Sequence, residues 1–501
     1  MGRKGSALAV AAALAVAVTG CGTKEKDVVI ADPIAEALAH APADAAALAL
    51  IATDTAAGPG AALARLARRF PGIELVLAQG QATLGQRLGL DYATEVEPLL
   101  GNPLVLWSVD GSAERRFAAW VVRDGDRLGE LLEGRKRSGA LAAAPAVGGY
   151  ALFVRRDGGA YARRGPLLVS APDLASLRTV LARRQAGRGQ WSPALLRERG
   201  LGLPEGAVAR VALDARALVA RRGGSARRVP WVAALERAAL TVSTAAGGLR
   251  VRARASTDAG RLAPNDVPIA GGVEPPATRG SGRIVAAVRE PQQTLRFARR
   301  AVDLLDPQRL DGLRRAEEVL GRYARVSVQE ELIDRLTGTA TVTSRDARTV
   351  TLRAELDDPG RTADALGRLG ALARLSGPLA DLTGVDLGGI GVEGRDGGSY
   401  LVTQDGRLLV ALAVVDGALV ASNSPGADLV AAARAPAAPR APTAGSFRAN
   451  LDAELLKDQL VSRLGLPAFA RGALAPLGAA RITARGEREL FDVQLVLPVA
   501  R

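Results

Sequence analysis

Cysteine is almost absent from this chain: Cys21 is the one example in 501 residues. A single thiol cannot close an internal disulfide, so packed cores alone must hold the fold. Histidine also occurs once, as His40. Zinc, copper and haem sites built from Cys and His therefore have no ligand set. A serine triad or a Cys-His dyad would have to use His40. Its setting, "EALAHAPAD" (36–44), reads as a helix end running into a loop, which predicts an exposed structural residue. Aromatics are scarce at 3%, so cores must be built from Leu, Val and Ala. Lysine stands only at positions 4, 24, 26, 136 and 457, leaving 61 of the 66 basic residues as arginine. Arg-over-Lys and Ala/Gly-rich usage is what a high-GC genome produces, so arginine abundance by itself is a weak signal.

Familiar catalytic motifs are missing as well. Glu133 and Glu454 stand three residues before Lys136 and Lys457, so no S-x-x-K spacing exists, and there is no Walker A loop. The stretch Gly389–Gly394 matches G-x-G-x-x-G, but "RDGGSYLV" follows, a turn and a strand where a nucleotide fold needs a helix. Asp124, Asp126 and Gly129 begin like a calcium loop. Leu128 and Arg135 then occupy positions that need oxygen ligands. The simpler reading is that Asp124 and the matching turn "LDDPGRT" (356–362) cap helices. Carboxylate-only chemistry stays open, because two acids can meet in space. Glu95/Glu97 and Glu330/Glu331 lie in corresponding regions, and acidic helix faces are the expected explanation. No catalytic residue, metal site or cofactor is expected.

Net charge is +14, and +12 without residues 1–20. A basic surface suits anionic lipid or polymer. Nucleic acid is not expected as a partner, since zinc-finger spacing, aromatic-studded strands and long basic helices are all missing. The densest runs, "GRKRSG" (134–139) and "RRGGSARR" (221–228), read as solvated loops.

What is present begins at the N-terminus. "MGRKGS" is positive, and "ALAVAAALAVAV" (7–18) is apolar. Those 12 residues span about 18 Å as a helix, short of the ~30 Å hydrocarbon core, so they predict a secretory signal rather than a membrane span. Val18-Thr19-Gly20-Cys21 resembles the lipobox of bacterial lipoproteins. The resemblance implies cleavage between Gly20 and Cys21, a diacylglyceryl group on the Cys21 thiol, and "GTKEKD" (22–27) as a tether. Two acyl chains anchor stably where one does not. The expected location is the outer face of the cell membrane.

An internal duplication is legible. Residues 97–109 lie over 334–346, with Gly101 on Gly338, Leu99 on Leu336 and Val105 on Val342. Then 117–132 lie over 350–366, 165–177 over 417–429, 209–218 over 447–456, and 240–255 over 481–497. The order is kept throughout. The expected layout is a signal peptide (1–20), a lipidated tether (21–42), one lobe (43–256), a Pro/Gly-rich linker (257–280) and a second lobe (281–501). The stretch 434–445 reads as a loop inside the second lobe.

Residues 47–52, 104–109, 117–122, 150–155 and 167–171 read as strands, and 61–70 and 173–184 as amphipathic helices. Short turns at 157–160 and 245–248 favour hairpins. The predicted class is α+β: two tandem related lobes, each a mainly antiparallel sheet with helices on one face. "HAPADAAALALIATD" (40–54), "FPGIELVLAQGQATLGQ" (70–86) and "LLVSAPDLASLRTVL" (167–181), with the lipobox, resemble the bacterial domain-of-unknown-function family DUF 3352. That resemblance implies an exported, repeat-built protein and supplies no catalytic residues. The expected function is a non-enzymatic, lipid-anchored envelope protein that binds a ligand or envelope partner. A carboxylate-dependent envelope hydrolase and a structural spacer are the alternatives.

Overall fold

A computed structural model of the chain describes residues 30–72, 91–112, 115–187, 189–245, 247–272, 276–346, 349–374, 390–395, 399–404, 406–424, 426–437, 445–464 and 470–500. The proposed signal, the lipobox residues Val18, Thr19, Gly20 and Cys21, and the tether to residue 27 lie outside them.

The first half contributes ten strands: β1 (Ala47–Ile51), β2 (Leu104–Ser108), β3 (Arg116–Val121), β4 (Leu141–Val147), β5 (Tyr150–Arg155), β6 (Ala160–Arg164), β7 (Leu167–Ala171), β8 (Ala209–Asp214), β9 (Leu235–Ala245) and β10 (Gly248–Thr257). The second half contributes β11 (Ile284–Arg289), β12 (Leu336–Ser344), β13 (Val350–Leu356), β14 (Ile390–Arg395), β15 (Ser399–Gln404), β16 (Arg407–Val415), β17 (Ala418–Ser422), β18 (Phe447–Leu451), β19 (Ala480–Gly486) and β20 (Leu490–Pro498). Short apolar and alternating runs make these segments strands, β7 being buried along its whole length, and glycines close the hairpins. Gly148 and Gly149, both at positive φ (57° and 79°), form the two-residue turn between β4 and β5.

The described strands form one 20-stranded sheet in which every pairing is antiparallel. In the first half the spatial order is β4-β5-β6-β7-β3-β2-β1-β8-β9-β10. The second half repeats that order strand for strand, from β14 to β20. β10 and β20 then pair edge to edge, Gly248↔Pro498 through Ser256↔Leu490. The pairing makes Ser108 and Ser344 equivalent, because each ends its strand opposite the first residue of the next. The sequence match is one residue out of step here, having set Trp107 over Ser344. A one-residue slip matters because it exchanges the faces of the sheet.

The fold is α+β. In the first half helices extend beyond the one expected face and cover both. Alternate strand residues divide between two cores. One core sets Val105, Trp107, Ala119, Leu167 and Val169 against the helices Pro33–Leu38, Leu174–Ala186 and Pro193–Arg199. The other sets Leu104, Trp120, Phe153, Tyr161 and Leu168 against Leu128, Leu131 and Leu132 of the helix Gly125–Arg137. The second half has smaller cores rich in alanine.

Two expected connectors have more structure than their composition suggests. In the Pro/Gly-rich stretch between the halves, Leu262, Val267, Ile269, Ala270 and Thr278 are buried. It is a packed strap. Residues 134–137 complete the helix Gly125–Arg137, where Arg135, Lys136 and Arg137 complement the carbonyl end of the helix dipole.

Leu167 is fully buried in the larger core. Leu167→Ala should therefore cost about 2–5 kcal/mol of unfolding free energy. Urea titration measures it, and a loss well under about 1 kcal/mol contradicts this packing.

Candidate functional site

His40 is buried, not exposed as its local sequence suggests. It follows the helix Pro33–Leu38, whose start is capped by Asp32. Its Nδ1 lies 2.9 Å from the Glu36 carbonyl oxygen, so that nitrogen carries the proton. Its Nε2 then accepts from the Tyr150 hydroxyl at 2.9 Å. The Glu36 carboxylate takes Arg164 at 2.8 Å and Arg184 at 3.0 Å, and the Arg164 guanidinium lies 4.9 Å from the centre of the Tyr150 ring. Burial pushes the His40 pKa down to about 4, against the pull of the Glu36 carbonyl and carboxylate. Burial also raises the Tyr150 hydroxyl. The imidazole is therefore neutral near pH 7 with both nitrogens engaged. It fastens the first helix to β5 and is a weak base.

The paired acids resolve into structural roles as well. Asp91 accepts from the Thr94 amide at 2.8 Å, while the Glu95 carboxylate accepts from the Asp91 amide at 2.7 Å. In the second half Ser327 accepts from the Glu330 amide at 3.2 Å, and Glu331 accepts from the Ser327 amide at 3.1 Å. Each is a reciprocal cap on one helical turn. The following long helix supplies arginine: Arg135 lies 3.6 Å from Glu95, and Arg368 lies 2.7 Å from Glu331. Burial alone would raise the Glu331 carboxyl, but Arg368, the Ser327 amide and Arg361 hold it below its ordinary value. Glu97 and Glu330 are exposed.

The glycine-rich match has no helix behind it, since Ile390–Arg395 is β14, paired with β15. Asp124 is an N-cap, accepting from the Arg127 amide at 2.8 Å, and Asp358 caps its helix from the equivalent turn, accepting from the Arg361 amide at 2.9 Å. Among the described residues, no group of three or more His, Cys, Asp or Glu is placed to hold a metal, and no helix is long and apolar enough to cross a membrane. Two surface clefts flank the capped turns. One, of about 530 Å³, is lined by Glu95, Arg127, Glu130, Leu131 and Arg135. The other, of about 470 Å³, is lined by Arg299, Glu317, Arg325, Ser327 and Gln329.

The seam between the halves is the other charged feature. Asp492 on β20 receives Arg254 at 3.0 Å and pairs bidentately with Arg252, at 2.5 and 3.0 Å, both from β10. Burial would raise the Asp492 carboxyl, but the two guanidinium groups hold it below the ordinary carboxylate value. Local sequence does not mark these residues as paired. The signal that could have found them is arginine at every second position in "LRVRARA" (249–255).

Fold and site together define an α+β protein of two topologically alike halves sharing one antiparallel sheet. No protein-family model matches the chain, and no curated protein matches it. Among solved structures, crystal form I of TP0453 is similar at 10% identity and a TM-score of 0.28, over 46% of this chain and 80% of that one. Crystal form III of TP0453 gives a TM-score of 0.27 at the same identity and coverage. A likeness this slight carries no argument about fold or function.

The unfolded chain's His40 titrates near 6.5 and the folded chain's near 4. Between these values the unfolded state binds a proton that the folded state does not, so stability is present above pH 6.5 and is lost as pH falls toward 4. Urea midpoints measured across that window should fall more steeply in wild type than in His40→Gln. Parallel slopes contradict the assignment.

Proposed function

We propose that this is a non-enzymatic, lipid-anchored protein of the cell envelope, held at the outer face of the membrane through Cys21. The observation that carries this reading is the run of positive start, 12 apolar residues and Val18-Thr19-Gly20-Cys21. A diacylated cysteine there anchors the mature chain by two acyl chains. The resemblance to DUF 3352 is part of the same reading. The titratable groups support it: His40, Glu95 and Glu331 are committed to fastening and capping. A long two-half sheet is then a scaffold that presents its surface to a ligand or envelope partner.

Metabolic labelling with an alkyne fatty acid should mark the wild-type protein, and Cys21→Ser should abolish the mark. Label persisting on Cys21→Ser defeats the anchor.

A further inference from the structure

One face of the sheet carries a row of arginines across the seam. Directly opposed residues on antiparallel strands share a face. Following the register, Arg210 on β8 faces Thr241 on β9, and Thr241 faces Arg252 on β10. Arg252 faces Gln494 on β20, Gln494 faces Thr483 on β19, and Thr483 faces Arg448 on β18. Arg210 and Arg448 are equivalent positions of the two halves, so the row reads almost the same from either end. Arg250, Arg254, Arg481 and Arg485 flank it two residues away on the same face. Among the described residues the acids near it are few: Asp492 is held by Arg252 and Arg254, Glu487 by Arg485, and Glu205 acts through its charge on the buried Arg210.

Several of these cations are short of partners. Arg210 is 8% exposed. Among the described residues Arg210, Arg250, Arg448 and Arg481 form no ion pair, and the buried Arg250 Nε and Arg448 Nη1 have no hydrogen-bond acceptor. Burial lowers the pKa of Arg210 and of Arg448, and at Arg448 the charge of Arg481 lowers it further. Burying guanidinium groups without acceptors is costly, and an anion bound there would offset that cost.

The surroundings select the shape of the anion. On the same face, the helix Pro193–Arg199 packs over β8 and β9, with Leu196 in the core that holds Ala212, so Arg210 and Thr241 lie buried beneath it and the open part of the row begins at β10. The helix Leu429–Arg434 stands at the other side, packed on Val420. Helices are about 10 Å thick, so the arginine floor is recessed between them. A flat bilayer cannot reach such a floor, whereas a single chain can lie in it. Arg252 on β10 and Arg448 on β18 are three strand spacings apart, about 14 Å, which is longer than a small anion.

We propose that this recessed arginine floor binds a single-chain, phosphate-bearing polymer lying across the strands of the seam. Guanidinium groups match phosphate oxygens in bidentate geometry, and the neighbouring Thr483 hydroxyl and Gln494 amide add neutral donors. The proposal gives a ligand class to the scaffold role proposed above. It does not depend on the anchor, which fatty-acid labelling tests separately.

The test uses the full-length protein extracted in detergent and a fluorescent long-chain inorganic polyphosphate. Binding should saturate and weaken with salt, as counterion release requires. Arg250→Ala with Arg448→Ala should weaken it about tenfold or more and lower the salt slope by about 0.7 for each charge removed. Arg481→Glu, at an exposed position that folding tolerates, should weaken it as well. Arg309→Ala, on the exposed helix Gln308–Val319, should leave it unchanged. Orthophosphate should bind far more weakly than the polymer. Wild-type affinity in the Arg250/Arg448 and Arg481 variants overturns the site. Equal competition by orthophosphate, by duplex DNA or by phosphatidylglycerol vesicles overturns the single-chain polymer.

Discussion

The antiparallel ladder between β10 and β20 is the contact on which the rest of the molecule depends. Nine residue pairs run from Gly248↔Pro498 to Ser256↔Leu490. Without them each half would leave its last strand as an open edge, a template for unwanted pairing. With them the two halves share one sheet. Asp492 between Arg252 and Arg254 adds register, since a slip would strand a half-buried carboxylate from its cations. Side chains reinforce the join. Leu66 of the helix Gly58–Ala67 packs with Leu477 and Val499 from the far end of the chain, and Trp231 meets Phe491 edge to face at 5.4 Å.

The two halves share pairing but not packing. Strand register makes Trp120 of β3 equivalent to Ala354 of β13, each opposite a leucine of the neighbouring strand. Trp107 and Phe117 stack at 5.5 Å in the first half, while the described apolar residues of the second half gather into small clusters. Dispersion and transfer energies scale with buried area, so among the described residues the first half is the more strongly packed. Backbone hydrogen bonding tolerates this divergence because it is indifferent to side-chain size.

Much of the architecture was legible in local pattern. Alternation marked β1, β2, β3, β5 and β7 to within a residue, and the acidic turns before helices marked their caps at Asp124 and Asp358. Contacts distant in sequence were not legible. His40 reads as a loop residue because its partner Tyr150 is 110 positions away. The Pro/Gly-rich strap looked like a free linker because burial of Ile269 and Ala270 depends on the second half. The arginines of the seam face looked like genomic bias, since only strand register across both halves brings Arg210, Arg252 and Arg448 into one row. The one-residue offset in the repeat match has the same origin: apolar similarity aligns Val105 with Val342, whereas pairing aligns Ser108 with Ser344.

The chain's poverty in cysteine allows a direct measurement of the β10–β20 ladder. Ala253 and Val493 are directly opposed in it, at a separation that a disulfide can bridge. Ala253→Cys with Val493→Cys should form an intramolecular disulfide under mild oxidation, seen as a reducible mobility shift of the monomer. Ala253→Cys with Leu497→Cys, four residues out of register, should not. Failure of the first pair, or equal cross-linking by both, would contradict the shared sheet.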